Sequence, residues 1–206
     1  MESKDLTIII VTFKSEKKIV NCLKSIPSHI KVLVIENSNN VNFKKNIESQ
    51  FSNSKCILMG ENKGYAVANN TGLNQVKTKY ALVLNPDAIL DKNAIENFFI
   101  SAKKNDEFWL MGPASDQMKK LDFNNDELIE VENLKGFAIF FNMSKFKNKF
   151  FDEKYFLYFE EIDLCKSTKK VNGKIYLDKS IRIIHQGASS VDDISELELE
   201  KNRNWH

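Results

Sequence analysis

An unbroken β-branched run, Thr7-Ile8-Ile9-Ile10-Val11-Thr12, set between Leu6 and Phe13, constrains the fold more than any other stretch of the chain. Residues branched at Cβ lose rotamer freedom in a helix and pack well on a pleated surface. A strand without polar alternation has to be covered on both faces, so this one belongs at the centre of a sheet with helices above and below. The following segments supply both. Strand-like runs at 31–36, 55–59 and 80–84 alternate with helix-like ones, the pattern of βαβ units and a mostly parallel sheet. The first helix is expected to start at a Ser15 cap, to bury Ile19, Val20, Leu23 and Ile26, and to stop at Pro27. A second, over 64–75, sets Val67, Asn70 and Thr71 on one face, and a third is expected to be capped by Asp91 and to bury Ile95, Phe98, Phe99 and Ala102.

Beyond that point the texture changes. Residues 119–132 are polar and acidic enough to be expected as a mobile loop, 136–142 reads as a strand and 159–171 as a helix. Residues 174–177 and 182–185 read as short closing strands. With 206 residues the chain suits one domain, and no repeat or low-complexity tract interrupts it.

Charge excludes one class of partner. The formal net charge is +2, and only Arg182 and Arg203 among the 30 basic residues are arginines. Nucleic-acid binders concentrate Arg forks on one face, so no nucleic-acid partner is expected; dispersed lysines allow at most weak attraction to anionic headgroups. No apolar run approaches the ~20 residues that span a bilayer, which with a polar start predicts a cytoplasmic chain, in peripheral contact with a membrane at most. Cys22, Cys56 and Cys165 have no C-x-x-C spacing and are expected as buried thiols.

Ligands of open parallel sheets bind beyond the carboxyl ends of the strands. The residues there are Thr12, Phe13, Lys14 and Ser15, then Glu36, Asn37 and Ser38, then Asn62, Lys63 and Gly64, then Asn85, Pro86 and Asp87. Together they suit a nucleotide. Phe13 can stack on a base, Glu36 can accept from a base N–H, Asn62 can reach ribose or base edges, and Lys63 can offset phosphate charge. Asn37, Gly64 and, on the following helix, Asn70 are counted in the same candidate set. Singly, each is also an ordinary turn former.

Asp87 follows an apolar strand and a proline that extends the backbone at Asn85, which presents its carboxylate at the strand tip. It is either a ligand for Mg²⁺ or Mn²⁺ bridging to phosphate or the cap of its own turn. In Y-F-L-Y-F-E-E-I-D-L-C, Glu160 and Asp163 share a helical side and Glu161 is turned roughly 100° away. These acids either balance the helix dipole or supply a general base beside aromatic surface. His185, at a strand end, is either structural or a metal ligand.

Taken in order, T-I-I-I-V-T-F, V-L-V-I-E-N-S, N-K-G-Y-A-V-A-N-N-T-G-L, L-N-P-D-A, G-F-A-I-F-F, F-L-Y-F-E-E-I-D-L-C and H-Q-G-A-S-S make the chain resemble family 2 inverting glycosyltransferases of the GT-A fold, most closely their bacterial rhamnosyltransferase-like branch. The resemblance implies a nucleotide-sugar-binding half over 1–112 and an acceptor-binding half over 113–206. It implies that Asn85 and Asp87 stand at the metal-binding D-x-D position with His185 as a further ligand, and that Glu161 is the catalytic base. Thr12, Phe13, Glu36 and Asn62 fall on nucleotide-contacting positions. The implied donor is dTDP-rhamnose or a UDP-sugar, the acceptor a glycan or lipid-linked hydroxyl in bacterial surface polysaccharide synthesis.

Three departures stand out. Glu36 and Glu161 each replace an Asp, and relatives usually continue past Trp205 and His206, so an acceptor- or membrane-contacting tail is expected to be missing. The alternatives are a non-catalytic nucleotide-sugar-binding module and a sugar-phosphate nucleotidyltransferase. The latter requires a glycine-rich basic loop after the first strand, where T-F-K-S-E-K-K has no glycine.

Overall fold

The computed structural model describes residues 3–114, 128–147 and 149–185. The central run forms β1 (Leu6–Thr12), buried along its whole length. The chain continues through α1 (Glu16–Lys24), β2 (Lys31–Glu36), α2 (Val41–Gln50), β3 (Ser54–Leu58), α3 (Tyr65–Leu73), β4 (Tyr80–Leu84), β5 (Ala88–Leu90) and α4 (Ala94–Lys104). The second half adds β6 (Phe108–Pro113), β7 (Leu128–Glu130), β8 (Ala138–Asn142), α5 (Glu160–Lys170), β9 (Lys174–Asp178) and β10 (Ile183–His185).

The main sheet has the order β3-β2-β1-β4-β8-β6-β9-β7, and β10 pairs with β5 in a second, two-stranded sheet. Pairing is parallel from β3 to β4 and between β6 and β9, but antiparallel on both sides of β8 and at β7. The parallel reading therefore holds for the first half, and the second half makes the sheet mixed.

Successive side chains of β1 feed two cores. Ile8 and Ile10 pack on one face with Leu23 of α1, Phe43 and Ile47 of α2 and Phe98 of α4. Ile9 and Val11 pack on the other with Ala66 and Leu73 of α3 and Leu164 and Cys165 of α5. Ile8, Ile9 and Ile10 are fully buried, each worth about 1.5–3 kcal/mol against exposure. Tyr80, Phe98 and Phe108 stack on Phe140 at 4.7–5.7 Å, which seals β8 into the sheet.

Several local expectations need correction. Ser15 stands at the start of α1, but its carbonyl receives Lys18 and Ile19 N–H while its hydroxyl donates to Phe13 O. Asp91 is not the N-cap of α4; Asn93 is, and Asp91 Oδ1 accepts the Asn93 N–H at 3.2 Å. Within the expected 119–132 loop, residues 119–127 lie outside the described region, whereas Leu128–Glu130 is strand β7. Its acids are used as edge-strand charge: Glu130 accepts from Lys169 at 2.7 Å and Lys174 at 3.1 Å. The three cysteines are buried free thiols.

Candidate active site

Because β1, β2 and β4 run in register, their carboxyl ends lie side by side, and the loops leaving them are knitted together. Asn37 N–H donates to Thr12 O at 2.7 Å. The Asn37 side chain, 3% exposed, donates to Asn62 Oδ1 at 2.8 Å and Gly64 O at 3.1 Å and accepts from Lys63 N–H at 3.0 Å. Asn37 thus shapes the loop that displays exposed Asn62 and Lys63. Glu36 is equally buried, with its carboxylate accepting from Ser38 Oγ at 2.5 Å and Asn40 N–H at 3.0 Å. Both oxygens hold the turn into α2, and a base N–H has to share a carboxylate already in use. Thr12 is buried, and its Oγ1 has no hydrogen-bond partner among the described residues. Phe13 is half-buried beneath the Lys14 ammonium, 5.5 Å from its ring centre.

Asn70 is committed elsewhere. Its amide donates to Phe151 O at 2.9 Å and Glu153 Oε1 at 3.0 Å and accepts from Phe151 N–H at 3.0 Å. That use pins the 151–153 segment to α3 and occupies both amide hydrogens.

Gly64 is where two parts of the site touch. Its φ is +85°, and a Cβ there meets Phe156 O at 2.6 Å and Phe156 Cδ2 at 2.8 Å. The Tyr65 N–H donates to the same carbonyl at 2.7 Å. Gly64→Ala is therefore expected to destabilise the fold by about 1–3 kcal/mol, seen as a lower midpoint of thermal unfolding. An unchanged midpoint contradicts this close approach.

The tip of β4 carries the chemistry. Asn85 N–H is held by Phe137 O at 2.9 Å, and Asn85 Oδ1 accepts the Tyr65 hydroxyl at 2.9 Å, so this side-chain oxygen is already engaged. Two residues on, β5 pairs antiparallel with β10, setting His185 opposite Ala88. The pairing brings His185 Nε2 to 3.4 Å from Asp87 Oδ1. Phe137 stacks on the imidazole at 4.6 Å and 11° and fixes its plane. The Asp87 side chain is 1% exposed and that of His185 25%, so the pair is approached from the histidine side. Burial works to raise the Asp87 pKa, but the facing His185 imidazole, with smaller help from the Asp87 backbone and Lys18, outweighs it and holds the carboxyl below its usual range.

These donors fit a divalent cation. A carboxylate oxygen and an imidazole nitrogen facing each other at 3.4 Å are mutually placed for one ion. Among the described residues no group of three His, Cys, Asp or Glu side chains surrounds a common point. The residues following His185, read as a polar turn, lie outside the described region.

Tyr158 and Phe159 both adopt left-handed backbone, with φ of 71° and 68°, immediately before α5. Consecutive non-glycine residues in this region are strained and are found where a site requires them. Phe156, Tyr158 and Phe159 are 41%, 42% and 51% exposed, an apolar surface leading to the acids of α5. The first turn separates those acids. Glu160 is buried with Leu164, whereas Glu161 and Asp163 are half-exposed, and Glu161 lies 3.6 Å from where a Cβ on Gly136 stands.

Burial, reinforced by the charge of Glu161 and opposed by its own backbone, pushes Glu160 up to about 7. A folded pKa above the unfolded 4.5 means that stability is fullest below pH 4.5 and is lost as pH rises to about 7, a loss of about 3 kcal/mol. Glu160→Gln is accordingly expected to stabilise the protein at pH 8 and to have little effect at pH 4.5, as read by urea denaturation. Equal effects at both pH values contradict it.

Two residues of the site were not anticipated. Tyr65 and Phe137 each follow a glycine inside motifs singled out in the sequence, N-K-G-Y and G-F-A-I-F-F, and that was the only signal available.

A sequence model of glycosyl transferase family 2 matches residues 7–165. The low-salt glycan biosynthesis hexosyltransferase Agl10 of Haloferax volcanii is 24% identical, over 88% of this chain and 67% of its own. Among solved structures, GalNAc-T7 with UDP, GalNAc and Mn²⁺ superposes with a TM-score of 0.71 at 13% identity, over 90% of this chain and 46% of that one. Staphylococcus aureus TarS 1-349 in complex with UDP-GlcNAc superposes with a TM-score of 0.65 at 15% identity, over 96% and 64%. The fold is that of the GT-A glycosyltransferases, and the chain spans about half to two thirds of the length of these solved relatives.

Proposed function

We propose that this chain, which belongs to glycosyl transferase family 2, is an inverting glycosyltransferase moving a sugar from a nucleoside diphosphate sugar to a hydroxyl of a glycan or lipid-linked acceptor. The reading rests above all on the Asp87–His185 pair, 3.4 Å apart at the ligand edge of the sheet. Residues 1–112 bind the donor and 113–206 the acceptor. Thr12, Phe13, Asn62 and Lys63 receive the nucleotide, shaped from behind by Glu36 and Asn37. The donor is a UDP-hexose, as in the ligands named for the solved relatives, with dTDP-rhamnose as the competing choice.

Asp87 and His185 would hold Mg²⁺ or Mn²⁺, which supplies positive charge to the departing diphosphate when bound. Lys63 adds charge from the loop beside it. Glu161 takes the proton from the acceptor hydroxyl as that oxygen attacks the anomeric carbon opposite the diphosphate, so configuration inverts. Glu160, buried beneath, and Asp163, one turn on, frame the base. The exposed rings of Tyr158 and Phe159 offer a sugar-stacking surface next to it.

No described helix is long and apolar enough to cross a membrane. The reading places the chain in the cytoplasm, against the inner membrane face when the acceptor is lipid-linked. The test is release of nucleoside diphosphate from UDP-GlcNAc, UDP-GalNAc and dTDP-rhamnose, each with Mn²⁺ or with EDTA. Mn²⁺-dependent release from a UDP-sugar is expected. Saturable donor binding without release from any of the three overturns the transferase reading in favour of a binding module.

A further inference from the structure

Tyr65 joins the cation loop to the base platform. Its hydroxyl donates to Asn85 Oδ1 at 2.9 Å and reaches Gly136 O at 3.3 Å. Its backbone N–H meets Phe156 O at 2.7 Å, and its ring packs edge-on against Phe151 at 6.4 Å. Asn85 lies two residues before Asp87, Glu161 packs over Gly136, and Phe156 begins the exposed aromatic surface.

We propose that Tyr65 is a positioning residue whose hydroxyl sets the separation between the Asp87–His185 pair and Glu161; the inference rests on the glycosyltransferase reading above. The Asn85 N–H to Phe137 O bond and the stack of Phe137 on His185 also tie the β4 tip to the turn into β8, but neither holds the Asn85 side chain or the Gly136 carbonyl beneath Glu161. Without the hydroxyl, Asn85 Oδ1 and Gly136 O lose their shared donor, and the Asn85 side chain and the Gly136 peptide can shift about the Asn85 N–H to Phe137 O bond that remains. Withdrawal of the phenol from water, reinforced by the nearby charge of Glu160, Glu161 and Asp87, pushes its pKa above the usual range, so the group remains a donor throughout physiological pH. Displacements of about 1 Å between a base and a leaving group lower turnover by about 10²-fold.

Tyr65→Phe removes the hydroxyl and keeps the ring. The unfolding midpoint, the Mn²⁺ affinity in the presence of UDP by electron paramagnetic resonance, and kcat and KM for UDP release should be measured in the variant beside the parent. The expected result is a midpoint within about 4 °C of the parent, kcat lowered by about 30–100-fold and donor KM changed by less than about threefold. Mn²⁺ affinity is expected to fall by about threefold to tenfold, because Asn85 steers the loop that carries Asp87. A kcat within threefold of the parent, or a rise in KM that accounts for the whole loss, overturns the assignment. A parent that neither binds Mn²⁺ with UDP nor releases UDP overturns the transferase reading and this inference with it. An active parent matched by Tyr65→Phe overturns the inference alone.

Discussion

Asp87→Asn is expected to lower nucleoside diphosphate release by about 10²–10³-fold while leaving the fold intact. The substitution keeps the shape of a side chain that is 1% exposed, and removes the charge that faces His185 at 3.4 Å. A buried amide beside an imidazole can still hydrogen-bond, but it offers a cation a far weaker ligand, so Mn²⁺ should cease to stimulate the reaction. The check is a Mn²⁺ titration of UDP release, with thermal unfolding run on the same samples. Full activity with an unchanged Mn²⁺ response assigns Asp87 to turn capping, the alternative that its sequence context leaves open.

Glu161→Gln is expected to reduce transfer to an acceptor by about 10²–10⁴-fold without weakening donor binding. The amide is isosteric and cannot take the proton. Glu160→Gln is the natural comparison, because the two acids are adjacent yet differently placed: Glu160 is 5% exposed with its pKa pushed up to about 7, and Glu161 is half-exposed beside Gly136. A base has to touch the acceptor, and exposure favours Glu161. Steady-state transfer and isothermal titration of the donor on both variants decide between them. Loss of transfer in Glu160→Gln with retention in Glu161→Gln reverses the assignment.

The central strands were legible because each is an apolar run with clear punctuation. β2 and β4 were anticipated to the residue, since charged Lys31 and the Asn85-Pro86 step mark their limits. Helix α2 was not, because only Phe43 and Ile47 of its residues are buried and such a short pattern leaves no periodic stripe. Strand β6 escaped for a different reason: Phe108-Trp109-Leu110-Met111 holds no β-branched residue to separate it from a buried helix segment.

The site divides in the same way. Loop residues after strands were identified from topology alone, yet what they do depends on partners that no pattern displays. Asn70 was placed with the nucleotide contacts, and its partners lie 81 and 83 residues away. The hydroxyl of Tyr65 reaches acceptors 20 and 71 residues distant. The meeting of Asp87 with His185 arises from pairing between two strands of three residues each, too short to predict by periodicity. Only the order of motifs across the chain suggested it.

Crystals of the protein grown with UDP and Mn²⁺, with data collected on the low-energy side and the high-energy side of the manganese edge, locate the ion directly. The account predicts one anomalous peak, in contact with both the Asp87 carboxylate and the His185 imidazole and with the diphosphate of UDP. A peak away from that pair, or UDP bound at the sheet edge with no manganese beside Asp87, contradicts it.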